Sequence, residues 1–151
     1  MAKKSKNDSV AENLSSILAD IAILSLKTKG YHWNVTGPFF EPLHVFFQKL
    51  YEALDVNLDE IAERIRALDT FAPGSYSELS KISDIKEAGS KNITGKKMLE
   101  DLHGDYKSLS AKCHSVLHLS EDSHDEATAD MMVALIQELD KSAWMIKSQL
   151  E

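Results

Sequence analysis

The sequence predicts an all-α protein, a four-helix bundle with one long connection between its second and third helices and a short extra helix within it. Three observations lead there. Apolar residues recur at helical spacing in four long stretches, no stretch alternates as a strand would, and cap signals precede several of those stretches.

The first helix is expected to start at Ser9, with Glu12 three residues on as the other half of a capping box. Val10, Leu14, Ile17, Leu18, Ile21 and Leu24 form its stripe. Gly30 should loosen its end; if the helix continues, His32 falls on the same stripe. Pro38 or Pro42 opens the second helix, since proline is tolerated in a first turn. Its stripe is the cleanest in the chain: Leu43, Phe47, Leu50, Leu54, Leu58, Ile61, Ile65 and Leu68, ended by Phe71-Ala72-Pro73-Gly74. A second box, Ser75 and Glu78, starts the short helix, which runs to Ile82. Residues from Asp84 to Asn92 read as loop, and Thr94 opens the third long helix, with Leu99, Leu102, Tyr106, Leu109, Cys113, Val116 and Leu117 inward. A third box, Ser123 and Glu126, is expected to start the last helix, whose stripe is Met131, Met132, Leu135, Leu139, Ile146 and Leu150; Met145 also reads as core.

The chain has 151 residues, enough for one domain with one core. The expected organisation is a flexible basic tail over 1–8 and a single bundle domain over 9–151. No run of eighteen apolar residues predicts a membrane span. The start MAKKSKNDSV has no apolar core of the kind a secretory signal needs. The single cysteine, Cys113, suits a reducing cytosol. A net charge of −7 favours cations over nucleic acid as partners, except at the tail, where Lys3, Lys4 and Lys6 carry no neighbouring acid.

A polar stripe accompanies the apolar one on the second helix: His44, Gln48, Tyr51, Asp55 and Asp59, with Glu63 a turn beyond. Asp59 and Glu63, four apart, can present two carboxylates to one cation. Such a pair is ordinarily a solvated face, and Arg64 and Arg66 could neutralise it. A lone buried histidine such as His32 is ordinarily a satisfied core residue. Distance sharpens the question. His44 and Asp59 lie fifteen residues apart, about 22 Å along a helix. They cannot hold one ion within one chain. If the second helix packs antiparallel on its copy across a two-fold axis, the His44 end meets the Asp59–Glu63 end and two equivalent sites result. His32 would join from the first helix. Two imidazoles and two carboxylates suit iron or zinc better than magnesium or calcium.

The stretch "YHWNVTGPFFEPLH" followed by "LDEIAERIRALD" resembles the Dps mini-ferritins, the DNA-binding proteins from starved cells, and the likeness extends over nearly all of the chain. It implies a ferritin-like fold and a bacterial, cytoplasmic, nucleoid-associated homo-dodecamer built from two-fold dimers. It implies ferroxidase sites with His32 and His44 from one subunit, Asp59 and Glu63 from the other, and Trp33 alongside. Fe(II) is oxidised there, commonly by hydrogen peroxide, and Fe(III) is stored in the cavity, which protects DNA. It also implies that Trp144 packs near the subunit core. One position departs from the family. Where an acid usually follows the second histidine by one turn, this chain has Gln48, a neutral and weaker ligand for a hard cation. One iron position should therefore bind less tightly, unless Glu52 or Asp55 compensates, and zinc could substitute.

Asp122, Glu126 and Asp130 follow at four-residue steps. They are either dipole-favoured acids at a helix start or, as the resemblance implies, the lining of cation-conducting pores. His114 and His118 read as an exposed face with no acid at matching spacing, and His103 and His124 carry no signal. The three tail lysines could bind DNA phosphates, multiplied by the assembly. The leading expectation is an iron-oxidising, iron-storing cage. Its alternatives are a non-catalytic DNA-binding or shielding cage with ferroxidase activity impaired at Gln48, and a helical interaction protein without metal.

Overall fold

The computed structural model describes residues 6–89 and 91–151. Its helices are α1 (Lys6–Asn34), α2 (Phe40–Ala67), α3 (Tyr76–Ile82), α4 (Gly95–Asp122) and α5 (Glu126–Ser148), and no strand occurs among the described residues. The all-α bundle that the apolar periodicity demanded is the observed one.

Short turns fold α1 against α2 and α4 against α5, giving two hairpins that meet mainly along α1 and α4, with α3 lying on α1. The long connection returns the chain to the end where α2 began. There Gly95, the first residue of α4, sits so close to α2 that a Cβ would stand 2.7 Å from the Leu43 Cδ1 atom. Glycine is the residue that permits this approach.

The core lies where the stripes converge. Leu14, Ile17, Ile21 and Leu24 of α1, Phe47, Leu54, Ile61 and Ile65 of α2, Leu102 and Leu109 of α4, and Met132 and Leu139 of α5 are fully buried. Truncating one of the aliphatic residues to alanine should cost about 2–5 kcal/mol, transfer and cavity terms together. α1 is apolar enough over an 18-residue window to cross a membrane, but 67% of that window is buried in the bundle. It packs against α2, α4 and α3, so most of this apolar stretch faces other helices.

Two lysines fasten the connection to this core. Asp20, buried on α1, accepts from the Ser83 hydroxyl at 2.8 Å and the Asp84 amide at 2.7 Å. Lys112 of α4 reaches in to pair with both Asp20 and Asp84. Burial alone would pull its ammonium down, but the two carboxylates outweigh that and hold it above the ordinary lysine range. Lys27 donates to the Lys86 carbonyl at 3.0 Å and pairs with Asp105 at 2.7 Å, where burial pushes the Asp105 carboxyl up despite the lysine.

The boundaries correct several expectations. α1 begins at Lys6, so Ser9 lies inside the helix rather than capping it. Lys3 and Lys4 lie outside the described residues. The Ser75 box is real, with the Ser75 side chain accepting from the Glu78 amide, and Thr94 caps α4 through the Lys97 amide. The Ser123–Glu126 box is not. Ser123 closes α4, and the cap of α5 is Asp125. The competing signal was the end of α4. The Asp125 amide bonds to the Ser120 carbonyl and the His124 amide to the Glu121 carbonyl, with His124 left-handed at φ 57°. That double closure of a helix C-terminus consumes residues 123–124. Met145 and Trp144 are exposed, Trp144 by 64%, so neither packs in the core of the subunit. Both lie on the outward side of α5, off the stripe that holds Leu139, Ala143 and Ile146.

Asp125 ties three elements together. It accepts from the Thr128 amide at 3.0 Å, the Thr128 hydroxyl at 2.5 Å, and Arg64 of α2 at 2.7 Å. Burial pushes its carboxyl up, but the Thr128 hydrogen bonds and the Arg64 guanidinium outweigh that and hold it below the usual carboxylate range. A lowered carboxyl contributes stability that is present above its unfolded pKa and lost as pH falls through the folded one. Asp125→Ala should therefore lose about 1–2 kcal/mol at neutral pH in denaturant melts, and the gap to the parent should close on acidification.

Candidate metal centre

Gly30 does not end α1. The helix runs on to Asn34, whose side chain bonds back to the Gly30 carbonyl at 2.8 Å, and this last turn swings His32 onto the buried side, facing the first turns of α2. Gly37, at φ +104°, and the Pro38–Phe39 turn reverse the chain so that His44 arrives opposite. The two rings stack 3.7 Å apart at 15°.

Their hydrogen bonds are reciprocal. His32 Nδ1 lies 2.7 Å from the His44 carbonyl, and His44 Nδ1 lies 2.7 Å from the His32 carbonyl. A carbonyl oxygen only accepts, so each Nδ1 must carry the proton. In a neutral ring that leaves the Nε2 lone pair of both histidines unprotonated and unspent, as a metal ligand requires. The backbone fixes tautomer and ring orientation together. Phe40 stacks on His44 at 5.1 Å and Tyr51 stands edge-on to His32 at 5.4 Å, walling the pair with aromatic surface. Trp33, the next residue after His32, is 63% exposed.

Farther along α2 the polar stripe divides. Gln48 Nε2 donates to Glu52 Oε1 at 2.7 Å. Asp55 is taken: Ser25 donates to it at 2.5 Å and Lys29 pairs with it at 2.8 Å, with the Lys29 ammonium also 5.3 Å from the Tyr51 ring centre. Asp55, expected as one of two residues that could compensate for Gln48, thus already has two partners on α1. Sequence reasoning missed this cluster, although a signal was present: Ser25, Lys29 and His32 fall at four- and three-residue steps on one face of α1.

Asp59 and Glu63 are exposed, one turn apart. The expected neutralising arginines are turned elsewhere. Arg64 bonds to Thr128 and Asp125, while Arg66 donates to the Thr70 carbonyl and covers the Phe71 ring at 4.4 Å. Val56, on the same face, is 59% exposed. α2 is one uninterrupted helix, so the separation of the His44 and Asp59 backbones stays at about 22 Å. Among the described residues no three His, Cys, Asp or Glu side chains converge within one chain. The structure thus joins His32 with His44 and keeps both apart from Asp59 and Glu63.

Of the remaining candidates, Asp122 ends α4 while Glu126 and Asp130 lie on α5, so the four-residue steps cross a helix break rather than following one face. All three are exposed. His114 and His118 are exposed as expected, but His118 does have an acid at helical spacing, Glu121, at 3.3 Å. Lys6 is the first residue of α1.

Residues 11–151 match the family model for the ferritin-like domain. The chain is 35% identical to DNA protection during starvation protein 2 of Bacillus anthracis, over 95% of this chain and 98% of that one. Its fold superposes with a TM-score of 0.95 on the crystal structure of a Dps protein from Bacillus brevis, at 30% identity and 99% of both chains. With the Dps protein of Vibrio cholerae, described as a member of a broad superfamily of ferritin-like diiron-carboxylate proteins, the TM-score is 0.94 at 30% identity, over 100% of this chain and 99% of that one.

The reciprocal pairing separates two roles of each ring, and substitution can do the same. An asparagine can offer Nδ2 to the carbonyl that Nδ1 served, but nothing in place of Nε2. His32→Asn and His44→Asn should hold the melting behaviour of the parent to within about 1 kcal/mol while lowering Co(II) affinity by about tenfold or more, checked by denaturation and by Co(II) titration side by side.

Proposed function

Because this chain belongs to the ferritin-like family, and within it to the Dps proteins, we propose that it is an iron-sequestering mini-ferritin which oxidises Fe(II) at sites shared between subunits and stores Fe(III) inside a closed homo-dodecamer. The observation that carries this reading is the His32–His44 pair, with two Nε2 lone pairs held ready on a rigid frame. An antiparallel two-fold contact between α2 helices brings the partner's Asp59 and Glu63 to that pair, and the exposed apolar Val56 on their face suits such a contact. Neither carboxylate has an intrachain ion pair among the described residues, so neither must give one up to take a metal.

Fe(II) is the substrate and hydrogen peroxide the oxidant. Two Fe(II) ions each give one electron to one peroxide, the O–O bond breaks, two protons are taken up, and two waters and two Fe(III) ions result. The protein's contribution is positioning: neutral imidazoles on one side, carboxylates on the other, and aromatic rings packed against the pair. Consuming both Fe(II) and peroxide removes the reagents of hydroxyl-radical formation, which is how such a cage protects DNA in a bacterial cytoplasm. Asp122, Glu126 and Asp130 are proposed to line the cation entrance, their exposure fitting a negative rim that concentrates cations. Zinc takes the same donors without redox chemistry and should inhibit.

A second reading keeps the cage and drops the oxidation. It rests on Gln48, which offers the site an amide where a carboxylate would bind iron more firmly. The basic segment with Lys3, Lys4 and Lys6 would then carry the function through DNA phosphates, and deleting residues 1–6 should abolish a low-salt gel shift.

Metal-free protein should be given Fe(II) without oxygen, then peroxide, and ferric absorbance followed. The proposed activity predicts oxidation much faster than in buffer, reduced by about 100-fold or more in both His44→Ala and Asp59→Ala. Oxidation at the buffer rate by the parent would leave the second reading standing. Alanine at Asp122, Glu126 and Asp130 together should slow uptake into the cage without changing oxidation at limiting iron; normal uptake would remove the entrance role.

A further inference from the structure

Gln48 and Glu52, one turn apart on α2, are joined by a hydrogen bond. Where the resemblance to the Dps proteins implies an acid, this chain carries an amide, and that amide is held: its Nε2 donates to Glu52 Oε1 at 2.7 Å. An amide has two faces towards a cation. Its carbonyl oxygen attracts, and its NH2 group repels. Which face turns to the histidines is decided by the neighbour on the other side. A carboxylate accepts and does not donate, so Glu52 can hold Gln48 only by the nitrogen. The carbonyl oxygen is thereby left free to accept, on the stripe that His44 and Gln48 share at four-residue spacing. Other groups nearby do not compete for the task. Asp55 is held by Ser25 and Lys29, and Lys29 is occupied by Asp55 and the Tyr51 ring.

We infer that Glu52 is a positioning residue of the metal centre, which fixes the Gln48 amide with its carbonyl oxygen towards the metal and so makes the neutral side chain a usable ligand for the second ion. Glu52 itself does not reach the first ion, since it stands eight residues, about 12 Å of helix, beyond His44. Its charge is exposed and acts through the amide, as carboxylates behind metal-bound imidazoles act through the ring. The inference rests on the shared-site reading of the previous subsection and adds that a two-residue device replaces the single acid.

The test is a Co(II) titration of the assembled, metal-free protein, following heat and the visible absorbance of bound cobalt, with no oxidation involved. The parent should show a tight class of sites and a weaker second class. His44→Asn should abolish the tight class. Glu52→Gln lets the amide turn either way and should weaken the second class by about 10- to 100-fold, leaving the first unchanged. The exchange variant, Gln48→Glu with Glu52→Gln, keeps the hydrogen bond but moves the charge next to the metal; its second class should be tighter than the parent's. A second class that is absent in the parent, or unchanged in Glu52→Gln, overturns the inference. So does an exchange variant no tighter than the parent, which would mean that Glu52 acts only as a diffuse charge. A tight class that survives both His44→Asn and Asp59→Ala would instead overturn the shared-site reading itself, so the two failures are told apart.

Discussion

A straight helix cannot bring its own ends together. α2 runs unbroken for 28 residues, with the histidine near its start and the carboxylate pair beyond its middle, and the rise per residue fixes their separation at about 22 Å. The rest of the design answers to that constraint. The core stripe of α2 is buried against α1, so its other face, with Val56, Asp59 and Glu63, is free to meet another chain. On the proposed reading, function is a property of the pair rather than of the subunit, and each chain holds the two halves at opposite ends of one straight stretch of α2.

Rigidity is supplied differently at the two ends. At the histidine end it comes from backbone. Two carbonyls each take an Nδ1 proton, and two rings stack over the turn that Gly37 makes possible. At the carboxylate end it comes from a capping residue. Asp125 draws Arg64 away from Asp59 and Glu63 and locks the end of α2 to the start of α5. The same ion pair therefore ties α2 to α5 and turns Arg64 away from the exposed Asp59 and Glu63.

Much of this was legible in the sequence, and the exceptions share a cause. The apolar stripes found the helices because burial follows period, and the fifteen-residue spacing gave the separation of His44 from Asp59 because helical rise is invariant. The meeting of His32 with His44 could be read from an apolar stripe continuing past Gly30. What escaped was competition between groups. Ser123 and Glu126 spell a capping box, but the closure of α4 claimed Ser123 first. Asp55 resembled a spare ligand until Ser25 and Lys29, contributed by another helix, neutralised it. Trp144 was expected inside and lies outside, because its position on α5 falls off the stripe whatever its size. Local spacing shows what a residue can do; which of several partners it takes is decided by packing.

In the proposed site one chain provides imidazoles and another provides carboxylates. His44→Ala and Asp59→Ala chains, each inactive alone, should be unfolded together, co-assembled, and assayed for Fe(II) oxidation by peroxide. In a mixed two-fold pair one of the two sites has all its ligands and the other has lost both kinds, so random mixing should restore about a quarter of parental activity. Assemblies shown to be mixed that recover nothing would mean that both ligand types must come from the same chain, and would contradict the account.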